Sequence, residues 1–191
     1  MVDRPAQHAF LSYVHENREE VEKLASVLGA AGIPVWKDTE ALWPGEDWKQ
    51  KIRSAIEDGA LAFIACLSTS SVSKTKTFMN EELALAVDQF RLRPPGRVWL
   101  LPARLDECDL PQYDLGGGRT LNSLQRIDLF GPDREANLAR LIAAVVSIFG
   151  TSTTSPGTIV AAIATTDEFE RGPRLAEALK MGMTDPAKSM E

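Results

Sequence analysis

Cysteine, histidine and long apolar runs are scarce in this sequence, and each shortage excludes a class of protein. Its only cysteines and histidines are Cys66, Cys108, His8 and His15, too few and too scattered for a disulfide framework or a clustered metal site. No apolar run reaches the ~20 residues of a membrane span, and residues 1–7 lack the apolar core of a signal peptide. Cys66 lies in an apolar run, which predicts a buried, reduced thiol. We therefore expect a cytoplasmic protein without disulfides.

Basic residues are also in deficit. The chain has 21 Lys and Arg against 27 Asp and Glu, a formal net charge of -6. Binding to nucleic-acid phosphates needs a basic patch, so the balance argues against a nucleic-acid partner. The 44% hydrophobic and 25% charged content is ordinary for a globular protein. A chain of 191 residues is long enough for one domain with a substantial core and an appendage.

Short apolar runs alternate with helical stripes over the first 150 residues. Strands are predicted at 8–13, 33–36, 60–67, 97–103 and 126–130, and helices at 18–30, 47–57, 78–90 and 134–149. The third strand is apolar throughout, which is typical of a strand buried on both faces of a parallel sheet. Pro34 indicates that the second strand lies at an edge. We predict a flavodoxin-like α/β fold: a five-stranded parallel sheet of order 2-1-3-4-5 with helices on both faces.

Two stretches break this rhythm. Residues 105–123 show no helical stripe, so we expect an irregular crossover there. The run 116–118 is all glycine but lacks the Lys-Ser/Thr of a phosphate loop, and is interpreted as a surface loop. Residues 151–157 have the composition of a linker. We divide the chain into a domain at 6–150 and a linker with C-terminal tail at 151–191, for which packing, disorder and a role in assembly all remain open.

The predicted strand order places a ligand crevice at the carboxyl ends of strands 1 and 3. Ser12 and Tyr13 end strand 1, Ser68 ends strand 3, and the loop after strand 2 contributes Asp38 and Trp43. A phosphoacceptor receiver domain shares this topology but needs acidic residues at the ends of strands 1 and 3 to hold Mg²⁺, and is disfavoured. These five residues are therefore candidate ligand contacts, with strand-end packing, capping and loop packing as open alternatives.

The helix at 78–90 carries the carboxylate of greatest interest. Its predicted core stripe consists of Met79, Leu83, Ala86, Val87 and Phe90. At about 100° per residue, Glu81 falls opposite this stripe, and Glu82 falls at its boundary on the side of Phe78. We expect Glu81 in solvent and Glu82 at the rim of the core, near the crevice mouth. Periodicity alone favours a surface pair over a functional role for Glu82.

Basic residues precede this helix. Lys74 and Lys76 are placed to meet a pyrophosphate, but a solvated charge cluster is the favoured interpretation. His15, after strand 1, is interpreted as a surface loop residue rather than a catalytic base.

Several segments resemble the motifs of Toll/interleukin-1 receptor (TIR) domains, in order and with suitable spacing. Residues 8–13 resemble the first conserved box, and 36–45 resemble the second, the BB loop. Residues 65–68 and 78–83 are similar to the third strand and following helix of bacterial TIR domains, and 101–106 and 127–130 resemble the later strands. The resemblance covers about residues 6–150 and leaves the tail uncovered.

This resemblance implies a chemistry. TIR domains of bacteria, of plants and of one animal axon-degeneration protein are NAD⁺ glycohydrolases, whereas most animal immune TIR domains are scaffolds. By motif, the catalytic glutamate corresponds to Glu82, and the aromatic residue four positions earlier, often Trp, is Phe78 here. Expelling neutral nicotinamide leaves positive charge on the ribose, which one carboxylate can stabilise. The resemblance implies NAD⁺ as a substrate rather than a bound cofactor.

The resemblance also implies partners. It suggests a bacterial antiphage or signalling role, self-association through the BB loop, and a fused or separate sensor as a further partner. From its loop context, Trp43 is expected to stack on a base or on a neighbouring subunit, with loop packing as the open alternative. Two alternatives remain: a non-catalytic TIR–TIR interaction module, and hydrolysis of another N-glycosidic nucleotide. The product, ADP-ribose or a cyclic isomer, is left open.

Overall fold

The computed structural model describes residues 7–37 and 48–150. Within them the strands are β1 (His8–Ser12), β2 (Val35–Lys37), β3 (Ala60–Leu67), β4 (Leu100–Arg104), β5 (Asp114–Gly116), β6 (Arg119–Thr120) and β7 (Ile127–Asp128). Five of them form an all-parallel sheet of order β2-β1-β3-β4-β7. This is the predicted flavodoxin-like order, with β7 as the fifth parallel strand, and the Pro34 segment leads into the edge strand as expected.

Helices cover both faces of this sheet. They are α1 (Arg18–Ala30), α2 (Trp48–Ser54), α3 (Thr69–Val72), α4 (Phe78–Arg91) and α5 (Arg134–Phe149). A 3-10 turn (His15–Asn17) precedes α1, and α2 continues into a π-helical turn (Ala55–Gly59). Among the described residues no helix is both long and apolar enough to cross a membrane.

The alternation of side chains along β3 divides the core into two layers. Ala62, Ile64 and Cys66 pack with the buried stripes of α1 and α5. Phe63 and its neighbours on the other face pack with α2 and α4. Because a strand presents successive side chains to opposite faces, an apolar run of this length buries both. The buried position of Cys66 confirms the expectation for that thiol.

Aromatic rings tie the strands together on the α2–α4 face. Phe10 stacks on Trp36 at 4.8 Å and on Phe63 at 5.1 Å between ring centroids. Trp99 continues the row, 5.8 Å from Phe63, and donates its indole N–H to the carbonyl of Ala60 at 2.8 Å. The row therefore runs across neighbouring strands of the sheet.

The crossover before β7 contains a hairpin that the sequence prediction missed. Residues 105–123 contain no α-helix, as expected, but β5 and β6 pair antiparallel there and a 3-10 turn (Leu121–Ser123) follows. Gly116, Gly117 and Gly118 have φ of 84°, 63° and 73°. Three consecutive left-handed residues are costly without glycine, so the run makes the hairpin turn. The surface-loop interpretation was right, but the short strands beside it have too little apolar alternation to predict.

Two strands begin at least two residues later than predicted. The second was expected at 33–36, but β2 starts at Val35 because Pro34 has no N–H, and its carbonyl accepts from Ala9 at 2.8 Å. The fourth was expected at 97–103, but β4 starts at Leu100. Val98 is exposed, while Trp99 already bonds to the sheet through its carbonyl and Phe63 N at 2.7 Å.

Candidate active site

A serine hydroxyl and a carboxylate meet at the carboxyl end of β1. Ser12 is the last residue of β1, and its Oγ donates to Oε2 of Glu82 at 2.5 Å. Ser12 is 0% and Glu82 is 2% exposed. A length of 2.5 Å is that of a charge-assisted bond from a hydroxyl to a carboxylate. The two residues are 70 positions apart in sequence, so the topology of the sheet creates this pair.

The prediction that Glu82 lies at the rim of the core was wrong. The helix phase was correct, because Met79, Leu83, Ala86 and Val87 are buried and Glu81 is exposed. The boundary position is covered because α4 packs against the carboxyl end of β1, which places Ser12 beside it. Helical periodicity locates a residue around its own helix but not the strand that packs there.

Local sequence sets where α4 begins. Thr77 is extended, and its Oγ1 accepts from the backbone N of Asn80 at 3.1 Å, an N-cap bond. The helix therefore starts at Phe78, and Glu82 follows about one turn later. Phe78 is 59% exposed, so the aromatic side chain points out of the core while the carboxylate is buried.

A small cavity of about 310 Å³ adjoins this pair. Its lining includes Ile52 and Arg53 from α2, and Phe78, Glu82 and Leu85 from α4. Beside it runs a larger groove of about 1050 Å³. Glu82 is absent from the lining of this groove, but Ile52 and Phe78 line both spaces. The carboxylate thus borders a small, partly open space next to one large enough for much of a nucleotide.

The structure places the other predicted site residues differently. Tyr13 is buried beside Ser12 and lines the large groove. Ser68 is not in the lining of either space: it caps α3, accepts from Ser71 N at 3.2 Å and donates to Asn17 Oδ1 at 2.6 Å. Its contacts are those of a structural cap, as the open alternative for Ser68 allowed.

Asp38 and Trp43 lie outside the described residues, so their predicted contacts to a ligand or a neighbouring subunit stay predictions.

Sequence reasoning missed the contribution of the loops around α3. The S-x-x-S pattern at 68–71 is a capping signal that could have located this helix. Asp106, after β4, accepts from the backbone N of Thr69 at 2.7 Å. Arg53 from α2 was also missed, because nothing in its own helix distinguishes it from a surface arginine.

Neither cysteine supplies a nucleophile. Burial raises the pKa of the Cys66 thiol to about 12, and burial, followed by the charge of Asp106, raises the pKa of Cys108 to about 11. Both thiols stay protonated at neutral pH, and it is the thiolate that reacts.

Comparison with known proteins agrees with this architecture. A model of the TIR domain family matches residues 9–142. The chain belongs to the TIR domain family. Among solved structures, it is similar to the TIR domain of the Toll-related receptor TRR-2 from the lower metazoan Hydra magnipapillata. That match has a TM-score of 0.52 and 21% identity, and covers 71% of this chain and 97% of that one.

At this identity the structural likeness shows the fold. No curated protein matches the chain. TIR domains include some NAD-cleaving enzymes and generally self-associate through TIR–TIR contacts.

Proposed function

We propose that this TIR domain is an NAD⁺ glycohydrolase and that Glu82 is its catalytic carboxylate. The observation that carries the proposal is the Ser12–Glu82 pair, 2.5 Å apart, buried beside a cavity. Burying a carboxylate costs free energy. A module that only binds other proteins has no use for one beneath its surface, whereas an enzyme that must stabilise a cation does.

The reaction needs little besides this carboxylate. The bond between C1′ of the ribose and the nicotinamide nitrogen breaks, and its electron pair leaves with neutral nicotinamide. Positive charge develops on C1′ and the ring oxygen, and a nearby carboxylate in a low-dielectric site stabilises it more strongly than water does. Water then adds to C1′ and releases one proton, giving ADP-ribose. Attack by an adenine nitrogen instead gives a cyclic isomer and also releases one proton.

Each neighbouring residue has a role in this proposal. Ser12 orients the carboxylate by holding Oε2. Phe78 lines the space beside Glu82 with an exposed ring, which offers an aromatic face to the nicotinamide. Tyr13 is in the wall of the adjoining groove. NAD⁺ enters as the substrate, and none of these steps uses another cofactor.

We further propose a biological setting that follows from the family. The domain acts in the cytoplasm in bacterial antiphage defence or signalling, and is activated by self-association through its BB loop. Assembly would complete a site that the isolated domain leaves partly open, so turnover should rise with protein concentration more steeply than in direct proportion.

The second candidate function is a TIR–TIR interaction module without catalysis. The observation that favours it is the exposure of large apolar side chains: Phe78, Leu92 and Val98 are each more than half exposed. Exposed apolar residues of this size are common at protein contacts. Phe78 is shared by both proposals, since it lines the candidate site and is also open to a partner.

Nicotinamide release from NAD⁺ over a range of protein concentrations separates the two. The enzyme proposal expects release in wild type and its loss in Glu82→Gln, with both proteins folded and equally associated. No release at any concentration, despite association, would favour the interaction module. Release from other N-glycosidic nucleotides but not from NAD⁺ would instead identify a different substrate.

A further inference from the structure

The large groove beside the catalytic pair has charged residues on two opposing connections. His15 and Glu16 come from the connection after β1, and residues 74–77 come from the connection between β3 and α4. Lys74 and Lys76 both line the groove. Glu16 and Glu81 line the groove as well, so its positive charge lies at one wall, on residues 74–76, in a chain whose net charge is -6. Two lysines at one wall of a concave surface can hold an anionic group.

One of these lysines is held by a carboxylate of the same chain. Lys74 Nζ donates to Glu16 Oε1, and the two residues are 58 positions apart. Their side chains are 41% and 48% exposed. The hydrogen bond from Lys74 lowers the pKa of Glu16, so Glu16 stays charged at neutral pH. An exposed ion pair of this kind contributes little to stability, and a stronger anion can therefore displace Glu16 at small cost.

The other lysine is available to a ligand. Lys76 is exposed and forms no ion pair with any residue in 7–37 or 48–150. It precedes the N-cap Thr77, so it lies beside the N-terminal end of α4, where the helix dipole adds a favourable field for an anion. Phe78, which lines both spaces, follows directly.

We propose that Lys74 and Lys76 bind the pyrophosphate of a dinucleotide whose nicotinamide ribose lies at Glu82, and that Glu16 is the internal anion this pyrophosphate displaces. The inference rests on the proposed function, because that function places the nicotinamide ribose at Glu82. Glu82 lies about one helical turn, roughly 6 Å along the axis, beyond the start of α4. In NAD⁺ only the ribose ring and its 5′ carbon lie between the scissile bond and the pyrophosphate. A pyrophosphate at the start of α4 is therefore compatible with a ribose one helical turn further on, at Glu82.

The direct test is equilibrium binding of ADP-ribose, which contains the pyrophosphate but cannot be turned over. We expect Lys74→Ala/Lys76→Ala to weaken ADP-ribose binding at least tenfold and to lower its dependence on salt. Glu16→Gln should tighten binding about threefold, because Lys74 loses its competitor. Lys23→Ala is the control for loss of a positive charge outside the groove: it acts on α1, where Lys23 pairs with Glu19, and should leave binding unchanged.

Adenosine serves as a second probe because it has no phosphate. Its affinity should be the same in wild type and in the double lysine variant. The inference would be overturned by an equal loss of ADP-ribose affinity in Lys23→Ala and in the double lysine variant. It would also be overturned if the double variant lost as much affinity for adenosine as for ADP-ribose, or if wild type did not bind ADP-ribose at millimolar concentration.

The proposed function and this inference fail in different measurements. Failure of the function appears as nicotinamide release that does not depend on Glu82, or as no release. Failure of the pyrophosphate site appears as ADP-ribose binding that does not depend on the lysines. In an active enzyme, the double variant should raise KM for NAD⁺ and leave KM for nicotinamide riboside, which has no phosphate, unchanged.

Discussion

Ser12 Oγ donates a 2.5 Å hydrogen bond to Oε2 of Glu82, joining the end of β1 to the first turns of α4. The pair is buried on the side of α4 that faces a small cavity. A carboxylate held in this way is pre-organised, because its orientation is fixed before a substrate binds. The relationship explains why a glutamate occupies a position that helical periodicity assigns to the boundary of the core.

The first prediction concerns Ser12 as a positioning residue. Ser12→Ala removes the hydroxyl that orients Glu82, and we expect kcat for nicotinamide release to fall roughly 10- to 100-fold with KM little changed, since misplacing a catalytic group costs about this much. Ser12→Thr, which keeps a hydroxyl, should recover part of the loss. Steady-state kinetics of the three proteins provides the check.

Ser68→Ala is the matched control for this prediction. Ser68 is as buried as Ser12 but caps α3 and bonds to Asn17. We expect it to lower the free energy of unfolding by about 1 kcal/mol and to leave kcat unchanged. Equal losses of kcat in the two alanine variants would show that the effect of Ser12→Ala is not specific to Glu82.

The second prediction is that the buried pair is retained for function at the expense of stability. The double variant Ser12→Ala/Glu82→Met removes the carboxylate and its donor together and keeps a similar volume. We expect its free energy of unfolding to equal that of wild type or exceed it by up to about 2 kcal/mol, since apolar replacements of buried charged groups are often neutral or stabilising. Urea denaturation measures this, and a loss above about 3 kcal/mol would make the pair a structural element.

The third prediction concerns Gly59, at the end of the π-helical turn. A Cβ there would lie 2.5 Å from Cε1 and 2.9 Å from Nδ1 of His8, whose ring is fully buried. We expect Gly59→Ala to lower the free energy of unfolding by about 1–3 kcal/mol. Removing the ring with His8→Ala should abolish this penalty in a double-mutant cycle.

Gly29, in the last turn of α1, is the control glycine. Nothing lies within 4 Å of a Cβ built there, so Gly29→Ala should raise the free energy of unfolding by about 0.5–1 kcal/mol. Similar changes at the two glycines would contradict the proposed packing of Gly59 on His8.

The fourth prediction is a pH dependence from the ion pair of β4 and β7. Arg104 Nε and Nη2 donate to Asp128 at 2.6 and 2.7 Å, and this bonding lowers the pKa of Asp128. The pair therefore contributes fully above the pKa of an unfolded aspartate, about 3.9, and its contribution is lost as the pH falls through the lower, folded-state value.

Asp128→Asn isolates this contribution. At pH 7 we expect the variant to be less stable than wild type by about 1–3 kcal/mol, the range for bonds to charged groups. The difference should shrink as the pH falls below about 4. Denaturation curves at several pH values test this, and a difference that is constant from pH 7 to pH 3 would exclude the ion pair as its source.

Much of the fold could be predicted because its signals are local. The apolar run of β3 and the stripes of α1, α4 and α5 each lie within one element, and Pro34 marked the edge strand. The hairpin at 114–120 was missed because its strands, Asp-Leu-Gly and Arg-Thr, contain one apolar residue, Leu115, and therefore show neither an apolar run nor an alternation. Its glycines were recognised as a loop, but not as the turn between paired strands.

Sequence reasoning named residues of the candidate site but not how they contact one another. Glu82 and Phe78 were identified from a family motif, and Ser12 from its place at a strand end. The contact between Ser12 and Glu82 depends on packing between α4 and β1, which no pattern within either element contains. The Glu16–Lys74 pair is of the same kind, since its partners are brought together by two separate connections.

The most direct test of the central claim compares nicotinamide release by Glu82→Gln and Glu135→Gln. The two substitutions remove the same charge from a helix, but Glu82 is buried against Ser12, while Glu135 is exposed on α5 and lines neither space. We expect Glu82→Gln to lower kcat by at least about 100-fold, as removal of a transition-state stabilising group does, and Glu135→Gln to stay within about threefold of wild type. Equal turnover by wild type and Glu82→Gln would contradict the account.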